Sequence, residues 1–213
     1  MKTDTNIQLE PNSKPYLLKR IISDGFDTVA IFVLFMLISS LIFASPLANI
    51  YNEHFANYKR VQDEAVEEYG DDAEAITNRL REDRYFLDEQ FAANLHAYLL
   101  KLLAGFIAEA AVLVAVPLIS KQRGTPGKLM TGIIPFKEKK QTKADTKTIL
   151  LRFVYIFIID SAVFYLFTGI FTFLLIPVLR LVEILVNKKN KTICDALTGV
   201  MMIEKLSYDG IDK

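Results

Sequence analysis

The hydrophobic residues of this chain lie in long continuous runs separated by polar stretches, rather than at amphipathic spacings. One run covers residues 26–44, a second lies within 97–119, and a third extends over 151–186 with few interruptions. A transmembrane helix needs about 20 consecutive apolar residues. The runs therefore predict membrane-spanning helices, and the first is too long for the apolar core of a cleaved signal peptide.

The third run is longer than one span requires. As a single straight helix its 36 residues would extend about 54 Å, against a hydrocarbon core of about 30 Å. Thr168-Gly169 is the turn signal that divides it, and Lys188, Lys189 and Lys191 follow its end. We therefore expect four spans, near 22–44, 97–119, 151–167 and 170–187.

The polar stretches between the runs differ in charge. Residues 47–95 contain 12 acidic and five basic residues, whereas residues 120–150 contain eight basic and two acidic ones. Because cytoplasmic loops of membrane proteins carry an excess of Lys and Arg, we predict that the basic loop and both termini are cytoplasmic in a multi-pass protein of the cell membrane. Apolar positions at three- and four-residue spacings on either side of Gly70 predict an acidic helical hairpin on the opposite face.

These inferences give an all-α polytopic membrane protein with four transmembrane helices and an extracytoplasmic helical hairpin. Residues 132–136 and 200–204 are candidate partners in a short strand pair, against which Pro135 argues. The predicted parts are a lead-in at 1–19, a four-span domain at 20–205 that contains the acidic insertion at 47–95 and the basic loop at 120–150, and a tail at 206–213.

Ionisable side chains within the predicted spans are the strongest functional signal, because each costs about 2.5 to 3.5 kcal/mol at a helix centre. The candidate ion or proton sites are Asp27, Glu109, Asp160 and Glu183. Ion pairing within a helix is the competing structural interpretation for Arg20 with Asp24 and for Arg180 with Glu183.

Residue sets typical of catalytic or metal sites do not stand out in the sequence. Cys194 is the single cysteine, and the two histidines lie in or beside the acidic segment. The glycines near Lys128 are too close together for a phosphate-binding loop, so we predict a cytoplasmic type II turn formed by Thr125, Pro126, Gly127 and Lys128, with Gly127 at positive φ. We expect no enzymatic activity, cofactor, metal or nucleic-acid partner.

Four separated motifs occur in one order along the chain. Arg20 precedes Asp27 by seven residues, residues 125–128 are followed by Gly132, Leu151-Arg152 opens the third predicted span, and residues 195–200 read Asp-Ala-Leu-Thr-Gly-Val. Together they resemble the RDD family of small integral membrane proteins, which is named for one arginine and two aspartates. The resemblance implies that Arg20, Asp27 and Asp195 are the name-giving residues.

Two positions depart from the family pattern. Arg123 stands where a glycine is usual, and Cys194 stands where histidine is frequent. The family is mostly uncharacterised, and cation/proton exchange has been proposed for some members. We further expect Arg20 to be balanced by Asp24, Asp27 or Asp195.

The leading functional hypothesis is transport or exchange of a small monovalent cation or proton, with Asp27, Glu109 and Asp160 as the carboxylates that carry it. The alternative is a non-enzymatic membrane scaffold or accessory subunit that binds an extracytoplasmic protein through the acidic hairpin. Recognition of anionic lipids by the basic loop is a third option. The lipid bilayer is a partner in each case, and self-association into a homo-oligomer is compatible with all three.

Overall fold

The structure is a computed structural model that describes residues 14–138, 142–187 and 191–204. The start of the predicted lead-in, the tail at 206–213, and Lys188 and Lys189 lie outside the described residues. The chain divides into two compact units, one within Met1–Phe35 and Gly105–Lys213 and the other formed by Met36–Ala104.

Helices dominate the described residues. In chain order they are α1 (Lys14–Phe43), α2 (Asn49–Tyr69), α3 (Ala73–Glu82), α4 (Arg84–Ala110), α5 (Val116–Ile119), α6 (Pro126–Thr131), α7 (Thr146–Tyr155), α8 (Phe164–Thr168), α9 (Thr172–Val186) and α10 (Ile193–Thr198). Short 3₁₀ turns precede α2 and α9, at Pro46–Ala48 and Gly169–Phe171. Wider π-helical turns join α4 to α5 at Ala111–Ala115 and α7 to α8 at Ile156–Val163.

Three helical stretches in the described part of the chain are long and apolar enough to cross a membrane. They are Tyr16–Phe43, Arg84–Ile119 and Thr146–Phe167. The predicted break after the third stretch is confirmed, because α8 ends where Gly169 adopts a φ of +56°. The next helix, α9, has 15 residues.

Helix α1 begins eight residues before the expected start at residue 22. It starts at Lys14 with Pro15 in its first turn, where proline's fixed φ suits a helix and its missing N–H removes no helical hydrogen bond. The early start matters for the site, because it brings Tyr16 and Arg20 into the same helix as Asp24 and Asp27.

A three-stranded antiparallel sheet lies in the first unit. Strand β1 (Ile133–Lys137) is central between β2 (Thr142–Lys143) and β3 (Val200–Glu204). The predicted pairing of β1 with β3 is therefore confirmed, whereas β2 was not predicted. Pro135 is tolerated because its carbonyl accepts from Ala144 N on the β2 side, at 3.0 Å. In an antiparallel strand the N–H and C=O of one residue face the same neighbour, so the N–H that proline lacks would also face β2. The hydrogen bonds to β3 are therefore unaffected.

The sheet packs onto the start of α1. Tyr16, Ile133, Val200 and Met202 form a buried cluster, in which Ile133 and Val200 are at most 1% exposed. Burial of these side chains ties the first turns of α1 to the chain that follows α10, and so fixes the position of Arg20.

In the second unit, α2 packs along the N-terminal part of α4. Tyr58 contacts Phe86 edge to face, and His54 Nδ1 lies 2.8 Å from Glu89 Oε2. The predicted break at Gly70 is confirmed, since α2 ends there and Gly70 has a φ of +59°. The ion pairs Lys59–Asp63 and Arg60–Glu64 lie along the exposed face of α2.

Candidate functional site

Asp195 is the central acid of the site and is fully buried. It is the third residue of α10, whose start is closed by a capping box with Thr192. Thr192 Oγ1 accepts from the Asp195 amide at 3.1 Å, and Asp195 Oδ2 accepts from the Thr192 amide at 3.2 Å. This reciprocal pair fixes the carboxylate where two arginines reach it.

Two guanidinium groups from distant parts of the chain converge on Asp195. Arg20, which is 3% exposed, donates from Nη2 to Asp195 Oδ2, and Arg152 donates from Nη1 to Oδ1 at 2.6 Å. Arg20 Nη1 also donates to the Tyr16 hydroxyl at 3.3 Å, and Arg152 Nη1 to Thr198 Oγ1 at 3.4 Å. Of the three partners expected for Arg20, Asp195 is confirmed as a direct contact.

Electrostatics keep Asp195 ionised despite its burial. Burial raises the pKa of this carboxyl, but the positive charges of Arg152 and Arg20 and their hydrogen bonds outweigh burial, so the pKa lies well below the ordinary value of 3.8. A buried carboxylate shared by two arginines holds α1, α7 and α10 together.

Asp27 is the second buried acid, and its partners come from the start of α6. Its Oδ1 accepts from the Gly127 amide at 2.8 Å, and its Oδ2 accepts from the Thr125 hydroxyl. Amide groups at a helix start point out of the helix and favour negative charge. Gly127 and Lys128, which resemble part of a phosphate-binding loop, thus bind the carboxylate of Asp27 in the same chain.

The predicted type II turn at Thr125–Lys128 is wrong. Thr125 is the N-cap of α6, Pro126 is its first residue, and Gly127 is helical. Gly127 is required for a different reason, because a Cβ there would lie 2.0 Å from the carbonyl oxygen of Ser23 on α1. The glycine permits α6 to approach α1 closely enough for its amide to reach Asp27.

Lys128 completes a cluster of oxygen atoms around a single ammonium group. Its Nζ lies 3.2 Å from Asp27 Oδ2, 3.4 Å from Asp24 Oδ1 and 3.2 Å from Thr125 Oγ1. We call these four residues the Lys128 cluster. Two carboxylates face one ammonium in it, so its formal charge is −1.

Arg123 is one of the two departures from the family pattern. It has a φ of +56°, in the left-handed region that glycine adopts without strain, and this is the position where a glycine is usual. Its Nη1 donates to the carbonyl of Leu118 at 3.2 Å, near the end of α5. A stabilising contact to a helix end thus accompanies the strained backbone.

Asp27 and the two arginines that bind Asp195 border one polar cavity of about 60 Å³, which has room for a few water molecules. It is lined by the sheet and by parts of α1, α7 and α9. Its charged lining residues are Arg20, Asp24, Asp27, Arg123, Lys128, Arg152, Arg180 and Glu183. Of the four candidate ion or proton sites, the cavity therefore brings together Asp27 and Glu183.

Glu109, a third candidate, does not line this cavity with Asp27. Glu109 is buried and accepts from the Ser161 hydroxyl, but it is not among the cavity-lining residues. Its helix widens into the π turn two residues later, and Ser161 lies within the other π turn. The side chain of Asp160 lies outside what the structure describes. Glu183 Oε2 accepts from the Ile193 amide at 3.1 Å.

Sequence reasoning missed the roles of Thr125, Lys128 and Arg152 as partners of the acids. The sequence identifies Arg152 only as a motif residue, and it predicts Thr125 and Lys128 only as parts of a turn. The excess of basic over acidic residues in 120–150, together with the acids at the start of the first span, could have identified Lys128 as a partner of those acids.

Within the described ranges there is no group of three or more His, Cys, Asp or Glu side chains arranged to hold a metal ion. Comparison with known proteins gives one result on the chain as a whole. A family model described as the RDD family matches residues 14–199. No significant match to a curated protein or to a solved structure was found.

Proposed function

The chain belongs to the RDD family, and from this premise we propose that it is a membrane protein that exchanges a small monovalent cation or a proton at the Lys128 cluster. The observation that carries the proposal is the coordination of Lys128 Nζ by three oxygens, from Asp24, Asp27 and Thr125, at 3.2 to 3.4 Å. An ammonium held by carboxylate and hydroxyl oxygens occupies the kind of site that a small hard cation prefers.

The charge of the cluster supports exchange rather than permanent occupancy. With two carboxylates against one ammonium, the cluster can take up one further positive charge, as a proton or as a monovalent cation, and become neutral. Lys128 is 12% exposed in its side chain, and its flexible stem permits the ammonium to swing away when a cation replaces it. The cavity supplies the water through which an ion reaches the carboxylates.

The position of the acids agrees with transport. Asp24 and Asp27 both lie in Tyr16–Phe43, one of the stretches apolar enough to span a bilayer. Ionisable groups in such segments are costly, and they mark ion and proton pathways in many membrane proteins.

We propose four spans, with α9 and the turn before it as the fourth. The 15 residues of α9 extend about 22 Å, and the 3₁₀ turn Gly169–Phe171 adds about 6 Å. The sum of about 28 Å is close to the hydrocarbon thickness of about 30 Å. Four spans place both termini and the basic loop in the cytoplasm and residues 47–95 on the opposite face of the cell membrane.

Purified protein in proteoliposomes with a pH-sensitive dye inside tests the exchange. An imposed gradient of Na⁺ or K⁺ should drive proton movement in the wild type. Asp27→Asn and Lys128→Gln should each lower the rate at least tenfold, because one removes a carboxylate and the other the internal cation. The matched control is Asp63→Asn, an exposed acid of the second unit. Unchanged flux in Asp24→Asn/Asp27→Asn would refute the proposal.

A second candidate function is a scaffold that binds a protein partner through the acidic segment. It is favoured by the exposure of the acids around the turn at Gly70, which are Glu67, Glu68, Asp71 and Asp72. Conversion of these four acids to their amides tests it without cutting α4. If the protein is a scaffold, the four substitutions should abolish co-purification of its partner and leave the ion flux at the wild-type rate. If it is an exchanger without this partner, neither co-purification nor flux should change.

A further inference from the structure

We propose that an apolar groove between α1 and α9 admits an amphiphilic ammonium compound, whose alkyl chain fills the groove and whose positive head binds Asp24. The inference rests on the proposed function, because Asp24 belongs to the Lys128 cluster, and it names a substrate class for that site. The groove has a volume of about 180 Å³ and is lined by Ile21, Asp24, Gly25, Pro177, Val178, Leu181 and Ile184.

Two residues that disfavour helices face this groove. In a helix interior, glycine and proline are both less favourable than alanine. A Cβ added at Gly25 would meet nothing within 4 Å, so close packing does not require this glycine as it requires Gly127. Pro177 lies inside α9. Both residues border the open space between α1 and α9.

Asp24 is the charged residue that links the groove to the polar cavity. It lines both, and its Oδ1 makes the longest of the three contacts to Lys128 Nζ, at 3.4 Å. On α1, Asp24 and Gly25 follow Ile21 by three and four residues, so both lie on the same side of the helix as Ile21. A carboxylate at the edge of an apolar surface is the arrangement that an alkylammonium matches.

Lys128 already presents this chemistry from the cavity side, because its side chain is an ammonium on a four-carbon stem. A ligand in the groove would bring the same group to Asp24 from the other side and replace the lysine there. A lipid acyl chain also fits an apolar groove, but it gains nothing from Asp24, and an anionic head is repelled by it. Charge complementarity therefore selects a cationic amphiphile.

Photo-cross-linking in nanodiscs tests the proposal with two probes of equal chain length and the same diazirine, one a primary alkylammonium and the other an alkyl sulfate. The ammonium probe should label α9 near Val178 and Leu181, and excess Na⁺ should reduce the labelling. Asp24→Asn should reduce it about tenfold, because a hydrogen bond between charged groups is lost. Gly25→Leu fills the groove and should reduce labelling while cation exchange persists.

The outcomes separate this inference from the proposed function. Equal labelling by the sulfate probe, or unchanged labelling in Asp24→Asn and Gly25→Leu, means that the groove accepts any hydrocarbon chain and overturns the inference. Cation flux without ammonium-specific labelling leaves the proposed function in place and rejects the inference alone. Ammonium-specific labelling that Na⁺ reduces, in a protein without cation flux, supports the groove and rejects small-cation exchange.

Discussion

At the scale of single residues, Asp195 determines how the site holds together. Its carboxylate is completely buried, and such a charge is tolerated only when partners replace the lost water. Arg20 and Arg152 supply the opposite charges, and Thr192 supplies a backbone amide. Because removal of one partner leaves an uncompensated buried charge, the stability of the region depends on Asp195 being ionised.

The first prediction concerns acid stability. The folded-state pKa of Asp195 lies below its ordinary value of 3.8, so the folded protein binds this proton more weakly than the unfolded chain does. The stability that it contributes is complete above that value and is lost as the pH falls through the folded-state pKa. The melting temperature in detergent should therefore fall as the pH is lowered below about 4, and it should fall less steeply in Asp195→Asn.

Asp63→Asn, at an exposed position, is the control and should keep the wild-type acid dependence. Asp195→Asn should also melt at a lower temperature than the wild type near neutral pH. An identical slope with pH in Asp195→Asn and the wild type would show that this carboxylate does not control acid stability.

The second prediction concerns the strained backbone at Arg123, whose φ is +56°. Glycine adopts this conformation freely, whereas a residue with a Cβ pays about 1 kcal/mol or more. Arg123→Gly and Arg123→Ala both lose the hydrogen bond to Leu118. The difference between their free energies of unfolding therefore measures the backbone strain at this position. The glycine variant should be more stable by about 1 kcal/mol in detergent unfolding. Equal stability would mean that the loop relaxes out of the left-handed region.

The charged residues at the site could be identified from the sequence, but most of their partners could not. Arg20 and Asp27 stand out because charge is costly where an apolar run begins. Asp195 lies 175 residues from Arg20, and it was among the expected partners through the family resemblance, whereas helical spacing favours local neighbours such as Asp24. Such long-range pairs depend on tertiary packing, which in this case includes the sheet at the start of α1.

At the scale of elements, the contact between α6 and α1 is set by one missing side chain. A Cβ at Gly127 would lie 2.0 Å from Ser23 O and 2.9 Å from Ser23 C, both backbone atoms that no rotamer change can move. The sequence suggested a glycine turn here, since Pro-Gly is a turn signal. It did not reveal that the glycine serves the approach of a second helix.

The third prediction follows from this contact. Gly127→Ala should move α6 away from α1 and break the 2.8 Å bond from the Gly127 amide to Asp27. We expect a loss of about 2 kcal/mol or more in unfolding free energy, together with loss of exchange activity. Gly25→Ala is the matched control, because an added Cβ there meets nothing within 4 Å and alanine favours the helix. Equal effects of the two substitutions would contradict the proposed role of Gly127.

The regular elements were predicted to different extents. Breaks at Gly70 and Gly169 follow from glycine's access to positive φ, and both were expected. The π turns at Ala111–Ala115 and Ile156–Val163 were not, because a uniformly apolar run carries no periodic signal for an extra residue in a turn. The two-residue strand β2 is too short to show an alternating pattern.

At the scale of the whole molecule, the distribution of charge along the chain matters more than its total. The chain has 25 basic and 25 acidic residues, yet the acids are concentrated in 47–95 and the bases in 120–150. Hydrophobic runs and this segregation together predicted a helical membrane protein, and the family match supports that class. The number of spans is harder to predict, because it depends on whether the short helix α9 crosses the bilayer.

The last prediction concerns the number of spans. With three spans the two termini lie on opposite sides of the membrane, whereas with four they lie on the same side. Since α9 and its preceding turn together extend about 28 Å, we expect four. A fluorescent protein that matures only in the cytoplasm should therefore fluoresce when fused to either end. Alkaline phosphatase, which is active only outside the cytoplasm, should be active when inserted at Gly70. Fluorescence at one end alone would show that α9 does not cross the membrane.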